Sequence, residues 1–350
     1  MMTAQHITSP SLRLSIAPMM DRTDRHFRYL VRLISKHVQL YTEMVTANAL
    51  VRGRDPARLL AHDPLEHPVA LQLGGSDPLL MAQAAVMGAG EGYDEINLNI
   101  GCPSDRVTTG RFGACLMAEP NLVGNCVKAI QDALSHQSRL VPVTVKTRIG
   151  IDHHDSDAFL DDFVGHVSAA GCKTFIIHAR KAWLTGLSPK ENREIPPLRY
   201  ERAYKLKRDF PQLTIVLNGG VKKLSDVADH LRYVDGVMIG RAAYETPFAM
   251  LSNADAQVFG QPRQIDIEAN VASQYLDYLE HETTVGTRLS LMTRHAVGFF
   301  AGRPGSRAWR QALAQISTAP SPRVAIQGLR TVIAKMNPSS THIVSESLAA

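Results

Sequence analysis

The chain has 350 residues, 45% hydrophobic and 20% charged, which is ordinary globular composition and more than the roughly 250 residues of one α/β barrel. No stretch approaches the roughly 18 consecutive apolar residues of a membrane span, and the first twenty residues lack the basic patch, apolar core and cleavage site of a secretory leader. Net charge is +5, from 38 basic and 33 acidic residues; the four cysteines (Cys102, Cys115, Cys126, Cys172) form no C-x-x-C pair or zinc-spaced cluster, so a reducing, cytoplasmic setting without a metal is expected.

Eight short apolar runs follow one another along the chain: Arg13–Met20, Gln39–Val45, Pro68–Gly75, Glu95–Pro103, Val141–Gly150, Thr174–Arg180, Thr214–Val221 and Gly236–Ala242. Each is too short for a helix and rich in β-branched residues. They are apolar throughout rather than alternating, as strands buried on both faces are. Stretches of helical spacing, such as Asp77–Val86 and Asp157–Ala170, lie between them. Eight strand–helix units over about 240 residues predict a closed (β/α)₈ TIM barrel, expected over residues 10–250. Gly88-Ala-Gly-Glu-Gly92 precedes a strand instead of following one, so it reads as a helix-ending turn and not as a dinucleotide loop.

After Ala242 the strands stop. Apolar positions at three- and four-residue spacing (Val271, Tyr275, Tyr278; Leu289, Met292, Ala296, Phe299; Trp309, Leu313, Ile316; Val324, Leu329, Val332, Met336) predict a small helical bundle domain over 260–340. Breaks are expected at Gly302–Pro304 and Pro320–Pro322. The positive charge is concentrated. Arg180 to Asp209 holds nine basic and four acidic residues, and Arg288 to Arg330 holds seven arginines with no Asp or Glu. Both read as footprints for an anionic partner, since a guanidinium meets phosphate with a two-pronged fork.

Barrel enzymes work at the C-terminal ends of their strands. Those ends carry Pro18–Met20, Gln72, Asn97, Asn99 with Cys102, Lys146 and Arg148, His178 and Arg180, Asn218–Gly220 and Gly240–Arg241. A purely structural barrel has no need of Lys, His, Gln, Asn and Cys there together, so a catalytic centre is predicted. The pairs Gly219–Gly220 and Gly240–Arg241 after the seventh and eighth strands are suited to a phosphate, which could belong to a substrate or to a cofactor. Cys102 starts a long loop over the barrel mouth; Cys115, Cys126 and Cys172 read as packing residues. His153–His154 read as a solvated loop.

The run Asn97–Met117 (NLNIGCPSDRVTTGRFGACLM), with Ala17-Pro-Met-Met20, Leu71–Pro78, Val145–Gly150, Ile177–Arg180, Leu217–Gly220 and Ile239–Ala242, resembles the tRNA-dihydrouridine synthase family. Leu187–Pro197 and Thr293–His295 resemble its A-type branch. The resemblance implies an FMN barrel with a helical tRNA-recognition domain, acting on D-loop uridines 20 and 20a with NADPH as reductant. It implies FMN contacts from Ala17, Pro18, Met19, Met20, Gln72, Lys146, His178, Asn218, Gly219, Gly220, Gly240 and Arg241. It further implies Cys102 as proton donor and Asn99, Lys190 and Arg193 at the tRNA. Arg294, Arg303 and Arg310, from the acid-free stretch, are expected to join them.

That chemistry suits the residues. Saturating the C5–C6 bond of uracil takes a hydride at C6 and a proton at C5, and an ordinary thiol, with pKa about 8.5, is protonated at pH 7 and can donate. Lys146 and His178 are expected to place positive charge by the flavin. A uridine in folded tRNA has to be swung out, which requires a gripping surface. Two other readings share parts of the pattern: a flavin barrel acting on a free pyrimidine, and a tRNA-binding protein without catalysis.

Overall fold

The computed structural model describes residues 10–104, 107, 109–136, 140–265 and 267–336. These form two compact units, one from the chain up to Arg28 with His37–Arg241, the other from Tyr29–Lys36 with the residues from Ala242 on.

In the first unit the apolar runs become the parallel strands β1 (Leu14–Ile16), β2 (Leu40–Tyr41), β3 (Val45–Thr46), β4 (Val69–Gly74), β5 (Glu95–Ile100), β6 (Val143–Arg148), β7 (Thr174–His178), β8 (Thr214–Asn218) and β9 (Gly236–Ile239). Their order is β1-β9-β8-β7-β6-β5-β4-β2, with β3 also on β4. A parallel bridge between Ser15 and Gln39 joins β1 to the start of β2 and closes the ring. The (β/α)₈ barrel read from the sequence is therefore present. The second run differs in one respect: it is split into β2 and β3. At the split, Thr42 Oγ1 accepts from the Gln72 amide of β4 and donates to the Glu43 carbonyl, which takes the place of ladder bonding.

Helices follow the strands, among them Pro78–Gly90, Pro120–Leu134, Asp157–Ala169 and Tyr200–Asp209. Asp77 and Ser156 start two of them by accepting from backbone amides of the first turn. Gly88 is buried where a Cβ would stand 2.5 Å from Leu71 Cδ2, so it lets its helix lie close on β4 and β5. Inside the ring, Ala17, Tyr41, Ala70, Ile176, Val216 and Met238 pack as one cluster. Each large apolar side chain so buried stabilises the fold by about 1.5–3 kcal/mol.

The second unit is helical. Its longest helix, Ile267–Thr284, buries Val271, Tyr275 and Tyr278, and Tyr278 stacks on Tyr29 at 3.9 Å between centroids. Trp309 of helix Ser306–Ala314 is fully buried against Phe299, its Nε1 donating to the Ala296 carbonyl at 2.8 Å. In helix Pro322–Met336 the buried positions are Ile326 and Leu329; Val324, expected on the apolar face, is exposed. The helix expected over Leu289–Phe299 ends at Thr293 and passes into the 3-10 turn Arg294–Ala296.

Candidate active site

Strand register brings the predicted residues together. Gln72 pairs with Asn97, Asn99 with Lys146, Arg148 with His178, and His178 with Asn218, stepping around the ring from β4 to β8. Pro18–Met20 leave β1 beside them, Ala17 N donating to Ile239 O and Thr23 closing the turn on Met19. Gly240 lies against this turn, a Cβ there standing 3.8 Å from Ala17 and 3.9 Å from Met19.

Asn99 holds the turn that presents Cys102. Its Oδ1 accepts from the amides of Gly101 (3.1 Å) and Cys102 (2.9 Å), while its Nδ2 donates to Gln72 Oε1 at 2.8 Å. Cys102 is half-buried and reaches the Ser104 hydroxyl at 3.4 Å. Asp105, Arg106 and Thr108 of the loop lie outside the described residues. Cys126 and Cys172 are buried, as expected; Cys115 is half-buried and donates to Phe112 O.

Arg148 is buried, and among the described residues no carboxylate pairs with it. Nε donates to Gly101 O (2.8 Å), and Nη1 to Lys181 O (3.0 Å) and Asn192 O (3.1 Å). One guanidinium thus ties the Cys102 turn to two stretches of the loop after β7. Beside it Lys146 is largely buried, and among the described residues its Nζ has no hydrogen-bond or ion-pair partner.

Burial, then the charge of Arg148, pulls the Lys146 amine down to about 8. Burial also lowers Arg148, to about 10. His178 falls well below its ordinary value, through burial first and then Arg148, Lys146, Arg180 and Arg193. Its imidazole is therefore neutral at pH 7, which corrects the expectation of a positive charge there: the ring is buried, and Arg148 and Lys146 of the neighbouring strand β6 already bring cations to it. A buried, acid-poor cluster of this kind is costly unless an anion completes it.

The phosphate end is built on two left-handed glycines, Gly219 (φ 115°) and Gly220 (φ 73°). A Cβ on Gly219 would stand 2.6 Å from the His178 ring, and one on Gly220 2.3 Å from Leu198, so both positions require glycine by conformation and by contact. Tyr200 Oη donates to Gly219 O, and Asn218 Nδ2 to Met238 O. Arg241 is paired with Glu194 at 2.6 Å, and Arg180 donates to the Glu194 and Pro196 carbonyls. Lys190 and Arg193 are exposed on this loop, whose 3-10 turn Glu191–Arg193 is pinned by the buried Asn192 on Trp183 and Leu187.

In the helical unit Arg294, Arg307 and Arg310 are exposed. Arg303 is paired with Glu268 at 3.0 Å, and Arg330 reaches both Asp277 (2.6 Å) and Glu280 (3.0 Å). Sequence reading placed Arg148 at a strand end without giving it a role. Its signal, an arginine two residues past Lys146 on the same strand face, was legible. Glu194 and Tyr200 carried no signal, because their partners lie 47 and 19 residues away.

The residues fit an anionic ring-and-phosphate cofactor such as a flavin: a buried amine without a partner among the described residues, a neutral imidazole and the Gly219–Gly220 turn face one mouth. The profile of the family described as dihydrouridine synthase (Dus) matches residues 15–335. Proteins named tRNA-dihydrouridine(20/20a) synthase are similar over nearly the whole chain. That of Salmonella typhimurium is 56% identical over 87% of this chain and 90% of its own. That of Escherichia coli K12 is 55% identical over 87% and 86%, and that of Vibrio vulnificus 52% over 93% and 97%. A match spanning barrel and helical unit alike leaves one assignment: the chain belongs to the dihydrouridine synthase family, whose members reduce uridine to dihydrouridine in tRNA with a flavin.

Proposed function

We propose that this chain reduces uridines 20 and 20a in the D-loop of tRNA, with FMN as its flavin and NADPH as the reductant. The observation that carries the reading is Cys102, held on the Asn99 turn at a barrel mouth lined by Lys146, Arg148 and His178. A flavin held there and reduced by NADPH would supply hydride chemistry toward C6 of uracil. Cys102 Sγ–H gives the proton to C5, and water returns a proton to the thiolate, so the C5–C6 double bond gains two hydrogens in all.

Lys146, Gln72 and His178 would hold the flavin ring, with Ala17, Pro18, Met19 and Met20 packed beside it. Asn218, Gly219, Gly220, Gly240 and Arg241 would hold its phosphate. Lys190, Arg193 and the exposed Arg294 and Arg310 suit tRNA phosphates, which dominate affinity in such complexes. Four free thiols and a tRNA substrate support a cytoplasmic setting. The test is incubation of the purified protein with NADPH and unmodified tRNA, with free uridine in parallel. Dihydrouridine at 20 and 20a of the tRNA alone is expected; equal reduction of free uridine would overturn the reading.

A further inference from the structure

The barrel interior holds a carboxyl that the proposed reaction does not use. Glu95, at the start of β5, is buried beneath the site, and among the described residues no cation stands beside it. Tyr41 Oη (2.9 Å) and Thr144 Oγ1 both donate to the same oxygen, Oε1. Having given its proton, Thr144 Oγ1 can only accept, and it does so from Asn97 Nδ2 at 2.7 Å. That turns Asn97 Oδ1 toward Gln72, whose Nε2 donates to it at 2.7 Å. Gln72 Oε1 in turn faces Asn99 Nδ2 at 2.8 Å, and Asn99 Oδ1 is left for the amides of Gly101 and Cys102.

Each link fixes the sense of the next. A side-chain amide offers an acceptor on one arm and donors on the other, so a reversed amide would set donor against donor at both its contacts. Both ends are free of that ambiguity: the carboxyl oxygen Oε1 accepts, and the backbone amides of Gly101 and Cys102 can only donate, so the amides between them are held in one sense from floor to turn. Five buried or half-buried side chains thus run in one direction from the barrel floor to the turn that carries the proposed acid.

We infer that Glu95 is a positioning residue, anchoring through Thr144, Asn97 and Gln72 the side chain of Asn99 and with it the seat of Cys102. The inference rests on the proposed role of Cys102 for its effect on the reaction, though not for its effect on the thiol. Tyr41 provides the internal control: it gives Glu95 one hydrogen bond, as Thr144 does, but stands outside the chain of amides.

Four variants, E95L, E95Q, T144V and Y41F, would be compared with the parent on two readouts. One is the single-turnover rate of tRNA reduction by protein whose flavin has been reduced beforehand. The other is the rate of Cys102 alkylation by iodoacetamide, followed by mass spectrometry. T144V and E95L are expected to slow tRNA reduction by about tenfold or more and to change the alkylation rate by about threefold or more. Y41F should lower Tm by about as much as T144V yet leave both rates within about twofold. E95Q, which keeps Oε1, should stay within about twofold as well.

If T144V and Y41F acted alike on both readouts, Glu95 would be a structural residue and the inference wrong. A T144V protein with parental rates would sink it too. Should the parent fail to reduce tRNA, the proposed reaction falls, and the alkylation rates of T144V and Y41F still decide the matter of the relay.

Discussion

The barrel mouth and the helical unit are both rich in cations, and they hold them under different physics. At the mouth, Lys146, Arg148 and His178 sit on neighbouring strand ends, Arg148 bonded to backbone carbonyls, and burial drives the amine and the imidazole toward neutrality. In the helical unit Arg307 and Arg310 stand in solvent, while Arg303 and Arg330 reach carboxylates on helix Ile267–Thr284. A buried cation costs several kcal/mol and persists only where something repays it; an exposed one costs almost nothing. The first set therefore speaks for a ligand by its mere presence. The second does so only through its effect on binding.

That contrast can be broken at its strongest point by Arg148→Leu. Three carbonyls on two loops would lose their donor, so stability should fall by about 2–4 kcal/mol, and the protein should purify with little flavin. Unchanged Tm and flavin content would mean the loops are held by something else.

Lys146 gives a smaller effect and a pH signature. Its amine is protonated below about 8 and neutral above. An anionic flavin should therefore bind well at pH 7 and progressively less well as pH rises through that value. Lys146→Met should weaken binding at pH 7 by about tenfold and flatten the pH profile, as read by flavin fluorescence at pH 7 and 9. A wild-type profile without the fall would contradict the position given to this amine.

The smallest effects separate two arginines of the helical unit. Arg310→Ala should flatten the salt slope of log K for tRNA by roughly 0.7–0.9 for each phosphate it had neutralised and leave Tm alone. Arg303→Ala removes the partner of Glu268, which also accepts from the Phe300 amide. Its main effect should be a loss of stability of up to about 1 kcal/mol, since the pair is half-exposed. The opposite assignment of slope and Tm would reverse the reading of both.

The barrel was legible because parallel strands covered on both faces leave unbroken apolar runs, and eight of them came in series with helical stretches between. The strand-end residues were legible for the same reason: once the strands are placed, Gln72, Asn99, Lys146, His178 and Asn218 must share a mouth. Charge state was not legible. Nothing in the sequence says that His178 is buried in register with Arg148 and is neutral through that burial and that charge. The acid-free stretch from Arg288 to Arg330 was misleading in part, since Glu268, Asp277 and Glu280 lie just upstream and return in space to Arg303 and Arg330. The inclusion of Tyr29–Lys36 in the helical unit likewise depends on packing such as Tyr29 on Tyr278, which sequence spacing does not encode.

The central claim is that Cys102 is the acid, and Cys102→Ala tests it directly. With unmodified tRNA, the rate of dihydrouridine formation at 20 and 20a should fall by about 10²–10⁴-fold, while flavin content and flavin reduction by NADPH stay as they were and Cys115→Ala is tolerated. Formation of dihydrouridine by Cys102→Ala at the parental rate would contradict the account.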